Sequence, residues 1–94
     1  MRITLAQAKR VATKLHLNLK VVPLDIFRDA MSIELEHGKK YGILTNVTND
    51  NLLLTGKIAL AHLIEYPDYY KRLHKMEMKA EKYWKKRDKP NVIF

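Results

Sequence analysis

The 94-residue chain contains no cysteine and only three glycines and three prolines. The lack of cysteine excludes disulfide frameworks, thiolate metal sites and cysteine nucleophiles. The scarcity of glycine and proline favours a few long elements over many short strands. The sequence has no run of about 18 apolar residues and therefore predicts no membrane-spanning helix. Its start also lacks the apolar run of a signal peptide, so we expect a cytoplasmic protein, or a virion protein if the chain is viral.

Basic residues are numerous and unevenly distributed. The formal net charge is +8, and residues 71–89 contain nine Lys or Arg against three acids, a net charge of +6, which leaves +2 for the rest of the chain. Hydrophobic residues make up 47%, which is typical of a globular protein, and the length suits a single domain over residues 1–94. The excess of positive charge near one end predicts an anionic partner, either nucleic acid or an acidic protein.

Apolar residues recur at helical spacing in four stretches, which predicts an all-α fold, a compact bundle of about four helices. The first helix covers residues 5–15 and begins with a capping box formed by Thr4 and Gln7. The second helix covers residues 24–38 and ends at Gly38, because glycine is the residue most typical of a helix C-terminus.

A loop of turn-forming residues separates the second helix from the third, which ends near residue 65. Gly56 in the middle of this helix indicates close packing against another helix. The fourth helix begins with Pro67 as its first residue and runs to about residue 86, before an apolar tail at about residues 87–94. The N-cap of the third helix is one of three residues, Thr48, Asn49 or Asp50.

Two helices each carry a histidine and a glutamate three residues apart. Glu34 and His37 lie in the second helix and His62 and Glu65 in the third, and residues at this spacing share a helix face. His37 and Glu65 also continue apolar stripes, which puts both pairs at the edge of the core. Imidazole nitrogen and carboxylate oxygen are ligands for zinc, iron or manganese, and such pairs occur in metal-binding bundles. The sequence leaves two alternatives, a divalent metal site and a buried polar network that needs no cofactor.

The fourth helix carries regularly spaced lysines with aromatic residues between them. Their spacing of i, i+4, i+8, i+11 and i+15 lines them up along one side of a helix. A stripe of this kind can follow the phosphates of nucleic acid. The alternative is a solvated face on which Glu77 and Glu81 make ordinary pairs along the helix. The lysine stripe consists of Lys71, Lys75, Lys79, Lys82 and Lys86.

Several blocks of the sequence together resemble a known family. They are ITLAQAKRVATKL in the first helix, ELEHG at 34–38, TNVTNDN at 45–51 and KIALAHLIEYPDYYKRL at 57–73. In residue identity and in order, these blocks resemble a family of small uncharacterised domains from bacteria and viruses. The resemblance extends from residue 3 to about residue 77. The resemblance implies a compact helical fold and no particular function. Residues 39–44 and the Lys-rich end depart from the family pattern. Beside the two Glu/His pairs, the resemblance implies these signature residues: Glu36, Gly38, Asn46, Asp50, Pro67, Asp68, Tyr69 and Tyr70.

We expect a binding or structural protein rather than an enzyme, because no residue has a sequence context that indicates a catalytic role. The leading hypothesis is a small interaction module whose lysine stripe contacts nucleic acid or an acidic protein. The second is a metal-binding helical protein that uses the Glu/His pairs. The third is a viral or assembly component that forms oligomers through its C-terminal aromatic and apolar residues.

Overall fold

The computed structural model describes residues 2–90, and within them the chain forms helices and no strand. The prediction of an all-α fold with four helices is confirmed. None of these helices is both long and apolar enough to cross a membrane. The end of the predicted apolar tail, residues 91–94, lies outside the described residues. The elements are α1 (Leu5–Lys14), α2 (Leu24–Glu34), 3-10 turns at Leu35–His37 and Lys39–Tyr41, α3 (Leu52–Glu65) and α4 (Tyr69–Lys85).

The core lies between α1, α2 and α3. Phe27 and Met31 of α2 are completely buried at its centre, together with Ile3 from the segment before α1. The start of α1 is as predicted: the Thr4 hydroxyl accepts a hydrogen bond from the Gln7 backbone, and the Gln7 side chain accepts one from the Thr4 backbone. This capping box fixes the first turn of the helix that covers one side of the core.

α1 and α3 approach each other closely at Gly56, which confirms the prediction from the glycine. A Cβ atom at this position would overlap the side chain of Val11 in α1 and would lie 3.4 Å from the ring of Phe27. Glycine costs about 1 kcal/mol of helix propensity relative to alanine. The close crossing of the two helices is the physical reason that α3 contains it.

The predicted end of the second helix was wrong by about one turn. The α-helix ends at Glu34, and the chain tightens into the 3-10 turn Leu35–His37. The loop explains the difference, because the His37 carbonyl accepts hydrogen bonds from the backbone N–H groups of Val47 at 2.7 Å and Thr48 at 3.2 Å. Gly38 has φ of −99°, so it is not the left-handed cap that the sequence suggested.

The predicted starts of the third and fourth helices were also wrong by one or two residues. Asn51 caps α3, with its side chain accepting from the Leu54 backbone at 3.0 Å. Asn49 and Asp50 adopt left-handed φ values of 52° and 60° within the loop and so cannot cap the helix. Pro67 lies before α4 rather than in it, because a turn with Tyr69 N–H donating to the Tyr66 carbonyl separates the two helices.

α4 meets the other helices near its N-terminal end. None of its residues is fully buried, and beyond Leu73 all are exposed except Trp84, which is half-buried. The described chain measures 44 × 27 × 20 Å along its principal axes. The lysine stripe therefore lies on a helix that extends away from the three-helix core.

Candidate functional site

Glu34, the last residue of α2, is a buried carboxylate on which both predicted Glu/His pairs converge. Only 3% of its surface is exposed. The 3-10 turn that follows brings His37 back towards it, with Nε2 3.4 Å from Glu34 Oε2. Glu36 lies on the outer side, with Oε1 3.6 Å from the same nitrogen. The half-exposed His37 ring therefore lies between a buried carboxylate and a more exposed one.

α3 brings a second imidazole to the other oxygen of Glu34. His62 Nε2 lies 3.9 Å from Glu34 Oε1, and His62 Nδ1 lies 3.6 Å from Glu65 Oε2. The three-residue spacing of His62 and Glu65 predicted this shared helix face. The structure thus brings together all four residues of the two pairs, with Glu34 facing both imidazoles.

The first turn of α4 closes over His62 and Glu34. The Tyr70 hydroxyl donates to Glu34 Oε1 at 2.7 Å, and the Tyr69 ring stacks on His62 with centroids 4.0 Å apart and planes at 12°. The sequence singled out both tyrosines only as signature residues. It contained no spacing signal for these contacts, because 36 residues separate Tyr70 from Glu34. The Glu34 cluster consists of Glu34, Glu36, His37, His62, Glu65, Tyr69 and Tyr70.

Both tyrosines of the cluster are held in the protonated form. Burial raises the pKa of Tyr70 far above its ordinary value of 10.0, and the hydrogen bond to Glu34 and the charge of Glu34 raise it further. Burial also raises the pKa of Tyr69, with smaller effects from the charges of Glu34 and Glu65. Tyr70 is therefore a permanent hydrogen-bond donor to the buried carboxylate at neutral pH.

Two buried atoms of the cluster have no hydrogen-bond partner, Glu34 Oε2 and His62 Nδ1. The nearest charged groups lie at ion-pair distance, 3.4 Å and 3.6 Å away. A carboxylate between two imidazoles can accept a proton from either ring or share a cation with both. As they stand, the His, Asp and Glu side chains of residues 2–90 include no group of three or more that could hold a metal ion. The metal site therefore stays a prediction.

The loop before α3 holds the 3-10 turns of the site in place. Asp50 Oδ1 accepts from the Lys39 backbone at 3.0 Å, and its carboxylate fills the space that a side chain at Gly38 would need. Asn46 Oδ1 accepts from the Asn49 backbone at 2.7 Å. The signature residues Gly38, Asn46 and Asp50 thus order the backbone that carries His37.

Pro67 and Asp68 connect α3 to α4 and lie beside the cluster. Asp68 is the N-cap residue of α4, but its side chain makes no capping hydrogen bond. Both residues border an apolar hollow of about 390 Å³, together with Ile26 and Ala30 of α2. They form the connection from which α4 leaves the core.

The lysine stripe and the acids of α4 lie on different sides of the helix. At about 100° per residue, its five lysines fall within a sector of about 80°, and Glu77 and Glu81 lie about 140° from the centre of that sector. In the part of the chain that the structure describes, no ion pair joins a lysine of the stripe to a carboxylate. Glu77 and Glu81 make no ion pair among these residues either.

A family model described as Protein of unknown function (DUF5661) matches residues 8–79. The match contains the whole Glu34 cluster and the first part of the lysine stripe, and it stops before Lys82. No curated protein and no solved structure matches the chain. The resemblance to a family of uncharacterised domains is confirmed.

Proposed function

The chain belongs to the family described as Protein of unknown function (DUF5661), and from that premise we propose that it is a nucleic-acid-binding helical protein that uses its lysine stripe. The observation that carries this proposal is the separation of charge on α4. The lysines occupy one side of a helix that extends from the core, and Glu77 and Glu81 lie towards the opposite side.

The dimensions of the stripe suit a phosphate backbone. Lys71 and Lys86 are fifteen residues apart, which corresponds to about 22 Å along a helix. Along the axis of a duplex, the phosphates of one strand repeat about every 3.4 Å, and the stripe spans the axial rise of about six of them. The start of the stripe also borders a hollow of about 390 Å³, with Arg72 and Met76 in its wall. The same hollow also contains Asp68, so a backbone that lies along the helix meets one carboxylate at the start of the stripe, whereas Glu77 and Glu81 lie towards the opposite side.

The salt dependence of binding tests the proposal directly. Each neutralised phosphate contributes about −0.7 to −0.9 to the slope of log affinity against log salt concentration. We expect a slope of up to about −3.5 for a labelled single strand of about 16 nucleotides, because up to five lysines take part and each phosphate of a single strand contributes about −0.7. No binding at a salt concentration of about 50 mM would overturn the proposal.

A matched pair of variants separates the stripe from net charge. Replacing Lys75, Lys79 and Lys82 by Gln should lower the affinity at least about tenfold and reduce the slope by about 2 to 3. The control replaces three exposed lysines elsewhere with Gln, and we expect it to change the affinity less than about threefold. An equal loss in both variants would contradict the stripe as the contact surface. Tighter binding of polyglutamate than of the oligonucleotide would instead favour an acidic protein partner. The control lysines are Lys9, Lys14 and Lys57.

We propose a divalent metal at the Glu34 cluster as a second candidate function. It is favoured by one observation, that each oxygen of the buried Glu34 carboxylate faces the Nε2 atom of an imidazole. His62 also has a carboxylate at its other nitrogen, as metal-bound histidines often do. A metal would require the half-exposed His37 ring to turn towards His62, and a ring with that exposure has room to do so.

Elemental analysis of protein purified without a His-tag or chelator tests this candidate, together with the rise in thermal stability on adding zinc. We expect near-stoichiometric metal that is lost in His37→Ala and in His62→Ala. His74→Ala is the matched control, because His74 is an exposed histidine of α4 outside the cluster. Absence of both bound metal and a zinc-dependent shift would leave the cluster as a polar network.

A further inference from the structure

We propose that Tyr83 is a stacking site for a base, which makes single-stranded nucleic acid the preferred ligand of the lysine stripe. This inference rests on the proposed function. Phosphates are present in duplexes and in single strands, so the lysines alone give little preference between them. An exposed aromatic ring beside the stripe adds a contact that only an unpaired base can make, because bases in a duplex are already stacked on each other.

Tyr83 has the exposure and the support that such a site needs. Half of its surface is exposed, at 50%, and its position on the helix places it at the edge of the lysine stripe. The Arg87 guanidinium lies 4.1 Å from the centre of its ring, and Arg87 Nη1 donates to the Tyr83 carbonyl at 3.1 Å. Trp84 packs edge-on against the same ring, with centroids 4.7 Å apart at 89°. These contacts hold the ring in place, and because the guanidinium covers one face, the proposed base stacks on the opposite face.

The charge around Tyr83 matches the chemistry of a stacked nucleotide. Around the helix, Tyr83 lies about 40° from Lys79 and about 60° from Lys86, so both cations flank the ring. A base on Tyr83 would have its phosphates beside these two lysines. The guanidinium of Arg87 adds a planar cation that also stacks on bases. Trp84 points away from the stripe and shares a hollow with Glu77 and Glu81, so we assign the stacking contact to Tyr83 alone.

The experiment compares two ligands and five proteins. The ligands are a labelled single strand of about 16 nucleotides and a duplex of the same length. The proteins are the full chain, Tyr83→Ala, Tyr83→Phe, the lysine variant described above and the control Tyr41→Ala. Tyr41 is an exposed tyrosine in a loop, 62% accessible, with Lys40 5.1 Å from its ring, so it matches Tyr83 in type, exposure and cationic neighbour.

We expect the full chain to bind the single strand more tightly than the duplex. Tyr83→Ala should weaken single-strand binding by about 5- to 100-fold and duplex binding by less than about twofold, and Tyr83→Phe should restore the loss. Tyr41→Ala should leave both affinities unchanged.

The failure of this inference differs from the failure of the proposed function. Equal affinity for both ligands, lost in the lysine variant and unchanged in Tyr83→Ala, would overturn base stacking and leave the stripe as a phosphate-binding surface. Weak binding of both ligands at low salt, unaffected by the lysine substitutions, would overturn both proposals together.

Discussion

Three polar side chains converge on the buried carboxylate of Glu34. A buried carboxylate is costly unless hydrogen bonds or charges compensate for its lost hydration. The Tyr70 hydroxyl supplies one hydrogen bond to it, and His37 and His62 face its two oxygens. The sequence predicted that each His/Glu pair shares a helix face. It could not predict the tyrosine contact, because that contact arises only when α4 folds back onto the end of α2.

Tyr70→Phe should destabilise the protein by about 1–3 kcal/mol. The substitution keeps the ring but leaves Glu34 Oε1 buried without its donor, and the cost of an unsatisfied buried group falls in this range. Denaturant unfolding followed by circular dichroism measures the change. Tyr69→Phe is the control, because the Tyr69 hydroxyl makes no hydrogen bond within the described residues while its ring keeps the stack on His62. An equal loss in both variants would contradict the role of the Tyr70 hydroxyl.

The raised pKa of Tyr70 predicts a loss of stability at alkaline pH. Its pKa is higher in the folded state than the ordinary 10.0, so the folded protein retains a proton that the unfolded chain releases. This contribution is complete below pH of about 10 and is lost progressively above it, at about 1.4 kcal/mol per pH unit for one group. Unfolding measured between pH of about 8 and 11 should show the decrease.

The matched comparison for this pH dependence uses Tyr70→Phe and Tyr41→Phe. The first should make the decrease in the free energy of unfolding shallower, because its phenol no longer titrates, and the second should follow the full chain. A decrease of the same steepness in Tyr70→Phe would show that other groups cause it.

The helices differ in how closely the sequence predicted their ends. α1 begins where its capping box predicted, because Thr4 and Gln7 are adjacent in sequence and need no distant partner. The end of α2 and the start of α3 depend on the loop between them. In this loop the His37 carbonyl and the Asp50 carboxylate accept backbone hydrogen bonds from residues ten or more positions away. Such bonds leave no periodic pattern in the sequence, so the local signals at Gly38 and Asp50 predict the wrong helix ends.

Gly56→Ala should destabilise the protein despite the better helix propensity of alanine. The added methyl would overlap Val11 at the crossing of α1 and α3, and overpacking of this kind typically costs about 1–3 kcal/mol. Chemical denaturation measures the loss. The double variant Gly56→Ala/Val11→Ala should recover part of it, because the smaller residue makes room for the methyl. If the double variant loses as much stability as the two single variants together, the helices separate to make room for the methyl and do not clash.

The molecule as a whole consists of a three-helix core and a helix that extends from it. The apolar positions of α4 resemble those of a packed helix in sequence, since Leu73, Met76 and Tyr83 follow helical spacing. Met76 and Tyr83 are nevertheless exposed. The direction of α4 is set by its first turn, where Tyr69 and Tyr70 contact the Glu34 cluster. Helical spacing shows which side of a helix is apolar, but not whether another helix covers it.

A chain that ends at Lys79 should keep nearly the full stability of the core. None of the described residues beyond this point, 80–90, is fully buried, so we expect the free energy of unfolding to change by less than about 1 kcal/mol. Thermal unfolding followed by circular dichroism is the measurement. The same truncation should abolish the binding assigned to the distal half of the lysine stripe. A loss of stability above about 2 kcal/mol would mean that the end of α4 supports the core.

The position of Trp84 has a practical consequence for how unfolding of this protein is observed. The single tryptophan lies near the far end of α4, and its aromatic neighbour Tyr83 belongs to the same helix. Its emission therefore reports on the terminal turns of one helix and changes little when the core around Phe27 opens. Helix ends fray at lower cost than cores open, so an emission curve should fall before the circular dichroism curve. That lack of coincidence would reflect the location of the fluorophore and would be no sign of a folding intermediate.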